Sequence, residues 1–213
     1  DEASVQADLV ELRLDAVARP NVAAALEGRR RPVIVTCRAA WEGGQFAGSE
    51  EERERILADA LASGAEFVDC EWRAAFGARL AAAGGSRVVL SSHDFEGTPS
   101  DLDDRVRAMR ATGAGVVKVA ARAHTLADCV TLFDVARRQR GGGGERSVFI
   151  SMGEAGVASR ILAGRFGSAW TYAGPVSGVG QLRADELLDG YRFRSLGDAT
   201  QVYGVVGSPI AHS

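Results

Sequence analysis

Residues 66–72, Glu-Phe-Val-Asp-Cys-Glu-Trp, alternate in character: Val68, Cys70 and Trp72 share one parity, Asp69 and Glu71 the other. Successive side chains of a strand point to opposite faces, so a strand here has one apolar face and one acidic face. The same split recurs in the other β-branched runs. Glu11 and Arg13, Thr36 and Arg38, Ser91 and His93, and Lys118 occupy one parity. Val10, Leu12 and Leu14, then Val33, Val35 and Cys37, then Val117 and Val119 occupy the opposite one. The runs fall at 8–14, 33–38, 66–72, 87–92, 116–120, 147–152 and 169–173, with starts 25, 33, 21, 29, 31 and 22 residues apart. Those intervals fit repeated strand–helix units and a parallel sheet. An open sheet covered by helices on both faces would be apolar on both. A closed barrel is apolar outside and admits polar side chains inside, near the carboxyl ends of its strands. The expected fold is therefore α/β, a (β/α)8 TIM-like barrel. Seven runs are one short of eight, so the first strand is expected to precede Asp1.

Helices are expected between the strands. Ser49 with Glu50–Glu52 resembles a capping box ahead of Ile56, Leu57, Ala60 and Leu61. Thr98-Pro99-Ser100 opens a second helix, and Thr125 with Asp128 a third. Gly141–Gly144 reads as a loop without phosphate-binding spacing. A net charge of −3 argues against nucleic acid as a partner. No apolar run reaches the roughly 20 residues that span a bilayer. Cys37, Cys70 and Cys129, each among apolar neighbours, are expected as buried free thiols. No His or Cys pair has metal-ligand spacing, so no metal is implied.

Of the 25 basic residues only Lys118 is a lysine. Burial disfavours its ammonium form, leaving an amine able to attack a carbonyl and form a Schiff base. The alternative is a structural lysine paired with Asp69 or Glu71. His93 ends the preceding strand on the polar parity and suits proton exchange near neutral pH, the alternative being a hydrogen-bonded core histidine. Glu11, Arg13, Arg38 and Glu42 form a polar cage suited to a small polyhydroxylated acid, and each could equally be a structural ion-pair member. Arg160, just beyond the strand at 147–152, could fork onto a carboxylate or stand solvated on a helix.

The strings ELRLD (11–15), TCR with WEGGQ (36–38, 41–45), SSHDF (91–95), VVKVA (116–120), SMGEAGVASR (151–160) and SGVGQ (177–181) resemble type I 3-dehydroquinate dehydratase, in that family's order and spacing. The tail 203–213 resembles the first strand of shikimate dehydrogenase, as in bifunctional fusions of the two. The resemblance implies a lyase of the shikimate pathway without a cofactor, with NADP needed only by a dehydrogenase part of a longer parent. It divides the chain into a barrel at 1–190, a linker at 191–202 and the start of a second domain at 203–213. It assigns the imine to Lys118, acid–base work to His93 and orientation of that histidine to Glu42. Ring-hydroxyl contacts fall to Glu11, Arg13 and Arg38, the substrate carboxylate to Arg160, and a closing loop to Ser177 and Gln181. That loop usually reads S-A-P-G-Q, so Gly178 and Val179 are expected to loosen it. The remaining alternatives are a class I aldolase on a small sugar acid and a non-catalytic barrel that binds a small acid. The expected partner is 3-dehydroquinate, with no nucleic acid and no membrane, and a homodimer is the assembly considered. The compartment would be the cytoplasm for a bacterial source and the plastid for a plant source.

Overall fold

The computed structural model describes residues 3–139, 146–197 and 199–204. Among these, six parallel strands lie side by side in chain order: β1 (Val10–Arg13), β2 (Val33–Thr36), β3 (Phe67–Glu71), β4 (Val88–Asp94), β5 (Val116–Arg122) and β6 (Arg146–Met152). Helices α1 (Ala3–Gln6), α2 (Val22–Leu26), α3 (Glu50–Ala62), α4 (Gly77–Gly84), α5 (Leu102–Arg110), α6 (Leu126–Arg138) and α7 (Val157–Ile161) complete the units. This is the expected TIM-like architecture, present as six of its strands. Ser49 caps α3 by accepting from the Glu52 amide, and the Asp128 carboxylate accepts from the Thr125 amide at the start of α6. Helix α5 begins later than expected, with Asp101 rather than Thr98 at its cap.

Strand parity sorts the core as expected. Val68 and Cys70 pack outward with Ile56, Leu57 and Leu80 from α3 and α4. Val117 and Val119 pack outward with Leu102, Val106 and Leu132 from α5 and α6. The opposite parity of β4, β5 and β6 contributes Val89, Val116, Ala120, Val148 and Ile150 to a separate interior cluster, joined by Phe67, Trp170 and Tyr172. Above its deeper members stand Asp69, Glu71, Ser91 and Lys118, buried and polar. The barrel thus has a largely apolar floor and a charged upper interior. All three cysteines are buried free thiols.

Residues 169–173 do not form the expected seventh strand. Ser168 bridges Ser147 and Ala173 bridges Leu182, each as an isolated contact. The Phe149 amide, which would extend a ladder there, donates to the Ser168 hydroxyl at 3.1 Å instead of to a main-chain carbonyl. The loop reading of Gly141–Gly144 and all but the first two residues of the tail at 203–213 lie outside the described residues.

One structural feature escaped sequence inspection. Arg53, on α3, is fully buried, pairs with Glu50 and Glu71, donates to the Cys37 carbonyl at 3.2 Å and lies 5.0 Å from the Phe76 ring centroid. Removing one member of a buried pair leaves an uncompensated charge, at a cost of about 3–5 kcal/mol. Arg53→Met is therefore expected to lose that much in urea unfolding. Arg79→Ala, which breaks a surface pair with Glu54, should lose no more than about 1 kcal/mol.

Candidate active site

The carboxyl ends of β1 to β5 place one continuous polar network inside the sheet. Ser91 and Lys118 are register partners on β4 and β5, and Glu71 and Ser91 on β3 and β4, so their side chains share the interior face. Lys118, 5% exposed, donates from Nζ to Asp69 Oδ2 at 2.9 Å. Arg38 donates to Asp69 Oδ1 at 2.7 Å, to Glu71 Oε1 at 3.1 Å and to Ser91 Oγ at 2.7 Å. Ser91 Oγ donates in turn to Asp69 Oδ1 at 2.6 Å. Glu71 Oε1 also accepts from the Ala39 amide at 3.0 Å, tying the segment after β2 to β3.

That segment carries Glu42. A 3-10 turn at Ala40–Glu42 ends on Gly43 at φ 76°, a left-handed conformation that a side chain resists. A Cβ on Gly44 would lie 2.0 Å from the Arg38 carbonyl oxygen, so the chain doubles back only with glycine there. The turn brings Glu42 Oε2 to 2.8 Å from His93 Nδ1 and 3.9 Å from Arg38 Nη1. His93 lies two residues beyond Ser91 on β4, one side-chain step nearer the mouth than Lys118.

The electrostatics correct one expectation. Burial does oppose the charge on Lys118, but the Asp69 carboxylate outweighs it, with Tyr172 and Glu11 in support and Arg38 opposed, so the ammonium is held above its ordinary range. The free chain therefore carries a protonated Lys118 rather than a neutral amine. Asp69 shows the converse: burial would raise it, but Arg38 and Lys118 hold it ionised below the usual carboxylate range. His93 is pushed well below its ordinary value by burial and by the Arg38 and Lys118 charges, leaving a neutral, proton-accepting imidazole. Burial raises Glu42 to about 7 against the pull of Arg38, with Glu71 and Asp69 adding to the rise.

The other sequence-predicted residues divide. Glu11 Oε1 accepts from Thr36 Oγ1 at 2.6 Å, and its charge acts on Lys118 through space. Arg13 stands at the rim, its side chain 43% exposed and forked onto Asp15 at 2.8 Å through both Nε and Nη2. Arg160, 2% exposed, donates from Nη2 to the Val179 carbonyl at 2.8 Å. Its Nε and Nη1 are buried with no partner among the described residues. Burial lowers this guanidinium to about 10. The segment carrying Gln181 is anchored as well as substituted. Gly180, at φ 69°, has no room for a Cβ, which would lie 2.3 Å from the Gly153 carbonyl oxygen. Gln181 Oε1 accepts from the Val176 amide at 3.3 Å. The Val179 carbonyl of the same segment accepts the Arg160 bond. The Ser177 side chain lies outside the described residues.

Sequence reading missed Tyr172, whose ring centroid lies 4.4 Å from Lys118 Nζ. It left Asp69 only as an alternative partner for the lysine. Its position on the polar parity, two strands from Lys118, was the available signal.

Glu42 gives the site a pH signature. A carboxyl raised above its unfolded value binds more protons in the folded chain, so its contribution to stability declines as pH rises from about 4.5 to about 7. His93, lowered, contributes with the opposite sign below its ordinary value of 6.5. The stability of the unsubstituted chain minus that of Glu42→Gln, measured by denaturant unfolding, is therefore expected to fall by a few kcal/mol across this window.

Comparison with known proteins follows the same lines. The sequence profile of type I 3-dehydroquinase matches residues 1–198. The chloroplastic bifunctional 3-dehydroquinate dehydratase/shikimate dehydrogenase of Arabidopsis thaliana is 36% identical over 97% of this chain, which spans 36% of that protein's length. The 3-dehydroquinate dehydratase of Desulfotalea psychrophila is 34% identical, over 85% of this chain and 84% of its own. The crystal structure of 3-dehydroquinate dehydratase from Geobacillus kaustophilus superposes with a TM-score of 0.75 at 29% identity, covering 86% of this chain and 79% of that one. With its parallel strands in order, an interior lysine on the fifth of them and a profile match over residues 1–198, the chain belongs to the type I 3-dehydroquinase family.

Proposed function

We propose that this chain dehydrates 3-dehydroquinate to 3-dehydroshikimate through an imine on Lys118. The observation that carries the reading is a buried lysine held at 2.9 Å by an ionised carboxylate, one side-chain step from a histidine kept neutral. Lys118 reacts through its minor amine form: a proton passes uphill from the ammonium to His93, and the freed amine adds to the ketone carbon as it forms. The resulting carbinolamine loses water, with His93 returning the proton, and an iminium remains. That cation draws electrons from the neighbouring carbon–hydrogen bond, whose proton passes to His93, leaving an enamine. The enamine pushes the ring hydroxyl out as water, again with the His93 proton, and water then releases the product from Lys118. The net change is loss of one water from the substrate, and the nucleophile comes from the chain itself.

Glu42 orients His93 and tunes it. Arg160 supports the carboxylate assignment because it presents two buried, unpartnered donors, and forked N–H groups match a carboxylate. Glu11 and Arg38 suit the ring hydroxyls, and Arg13 would have to leave Asp15 to join them. Ser177 and Gln181 would close the loop over the bound acid, excluding water from the imine. We further read residues 1–190 as the barrel, 191–202 as a linker and 203–213 as the start of a shikimate dehydrogenase domain, which in a longer parent would use NADP. The compartment follows from the source: plastid in a plant, cytoplasm in a bacterium.

Incubation with 3-dehydroquinate should generate a conjugated enone that retains every substrate carbon, whereas an aldolase would cleave the chain of carbons. Borohydride added during turnover should leave an adduct on Lys118 by mass mapping. Lys118→Arg keeps the charge without the nucleophile and should abolish both signals, and His93→Ala should lower kcat about 10²–10⁴-fold. Near-normal turnover by Lys118→Arg would reject the mechanism.

A further inference from the structure

Tyr172 sits on the segment that replaces the seventh strand, two residues beyond Trp170 and on the same interior side. Trp170 packs on Phe67 at the barrel floor, with ring centroids 5.4 Å apart. Tyr172 is thereby lifted to the level of Lys118, and both rings belong to the interior cluster with Val89, Val116 and Val148. The Tyr172 ring centroid lies 4.4 Å from Lys118 Nζ, within the roughly 6 Å over which an aromatic face attracts a cation. Its hydroxyl is buried beside the Trp170 indole.

Resting on the imine reading above, we propose that Tyr172 is a further catalytic residue, whose ring face holds positive charge on the Lys118 nitrogen both as ammonium and as iminium. The chemistry requires this. A neutral imine is a weak electron sink, and the neighbouring carbon–hydrogen bond gives up its proton readily only while the nitrogen stays protonated. The nitrogen is flanked by Asp69 from β3, which favours the cation, by Glu11 from β1, which favours it weakly, and by Arg38 after β2, which opposes it. His93 from β4 stands one step above, neutral. Asp69 divides its charge among Lys118, Arg38 and Ser91. The aromatic face is the element that acts on Lys118 without also serving Arg38, and it still acts when the substrate carbon has taken two of the nitrogen's hydrogens. An aromatic contact with a desolvated cation is worth up to about one pH unit of protonation.

Cyanoborohydride reduces iminium and spares neutral imine, so its yield of Lys118 adduct against pH reports the protonated fraction directly. With 3-dehydroquinate present, the half-yield pH of Tyr172→Leu should lie about one unit below that of the unsubstituted chain, because loss of the ring lowers the proton affinity of the nitrogen. Tyr172→Phe keeps the face and should match the unsubstituted chain. Coincidence of the Leu and unsubstituted curves would overturn the inference. Should Tyr172→Leu fail to fold, pentafluorophenylalanine against phenylalanine at 172 tests the same point, since fluorination reverses the ring quadrupole with little change in shape. A lower half-yield pH with the fluorinated ring supports the inference, and equal values overturn it. Absence of any Lys118 adduct in the unsubstituted chain is a separate outcome that rejects the imine itself.

Discussion

The Asp69 carboxylate has no exposure to solvent and accepts from Lys118, Arg38 and Ser91 at 2.9, 2.7 and 2.6 Å. A buried carboxylate is tolerated only when paired and hydrogen-bonded. Its donors come from β5, from the segment after β2 and from β4, so satisfying this one anion fixes three parts of the sheet relative to one another. The lysine is aimed and kept charged by it, and Arg38 is turned inward by it. Arg38 then meets Glu71, which in turn requires Arg53 from outside the sheet. The placement of Lys118 and the neutrality of the interior are two aspects of one alternating chain of charges.

Such a chain needs a dry surrounding, and the apolar floor supplies it. Trp170 and Tyr172 occupy the interior with the valines of β4, β5 and β6, so the polar groups gather at the carboxyl ends of the strands. Within that dry region the groups differ in how completely they are satisfied. Lys118 and Arg38 are paired in the free chain, whereas among the described residues nothing meets two buried donors of Arg160. Buried donors without partners favour the arrival of an anionic ligand, because the ligand removes a desolvation penalty that the fold has already incurred. In the proposed reaction, recognition and chemistry are separated: Arg160 offers its two open donors to the acid, and Lys118 reacts with it.

Much of this was legible in the chain. Alternation in residues 66–72 and in the matching strands told which side chains face inward, because the period of two is a property of the strand itself. It located Lys118, His93, Asp69, Glu71 and Arg38 on one surface before any contact was known. Charge states were less legible. Burial of Lys118 argued for a neutral amine, but the sign depends on whether Asp69 lies at 2.9 Å or elsewhere, a distance that parity does not encode. Arg53 was hidden because its helical position looks like any solvated arginine near an acidic turn. Tyr172 was hidden because its segment reads as a strand, when a serine hydroxyl takes the place of the ladder. The Arg13 partner was not legible either, since the fork onto Asp15, two residues on at the rim, depends on local backbone geometry.

The central claim is that Asp69 sets the charge state of Lys118, and the pH dependence of Lys118 carbamylation by cyanate tests it most directly. Peptide mapping gives the titration of that single amine in the unsubstituted chain and in Asp69→Asn, which preserves shape while removing charge. The account predicts an amine titrating above the ordinary lysine value in the first and below it in the second, where burial and Arg38 outweigh the remaining support from Tyr172 and Glu11. Superimposable titrations in the two proteins would contradict it.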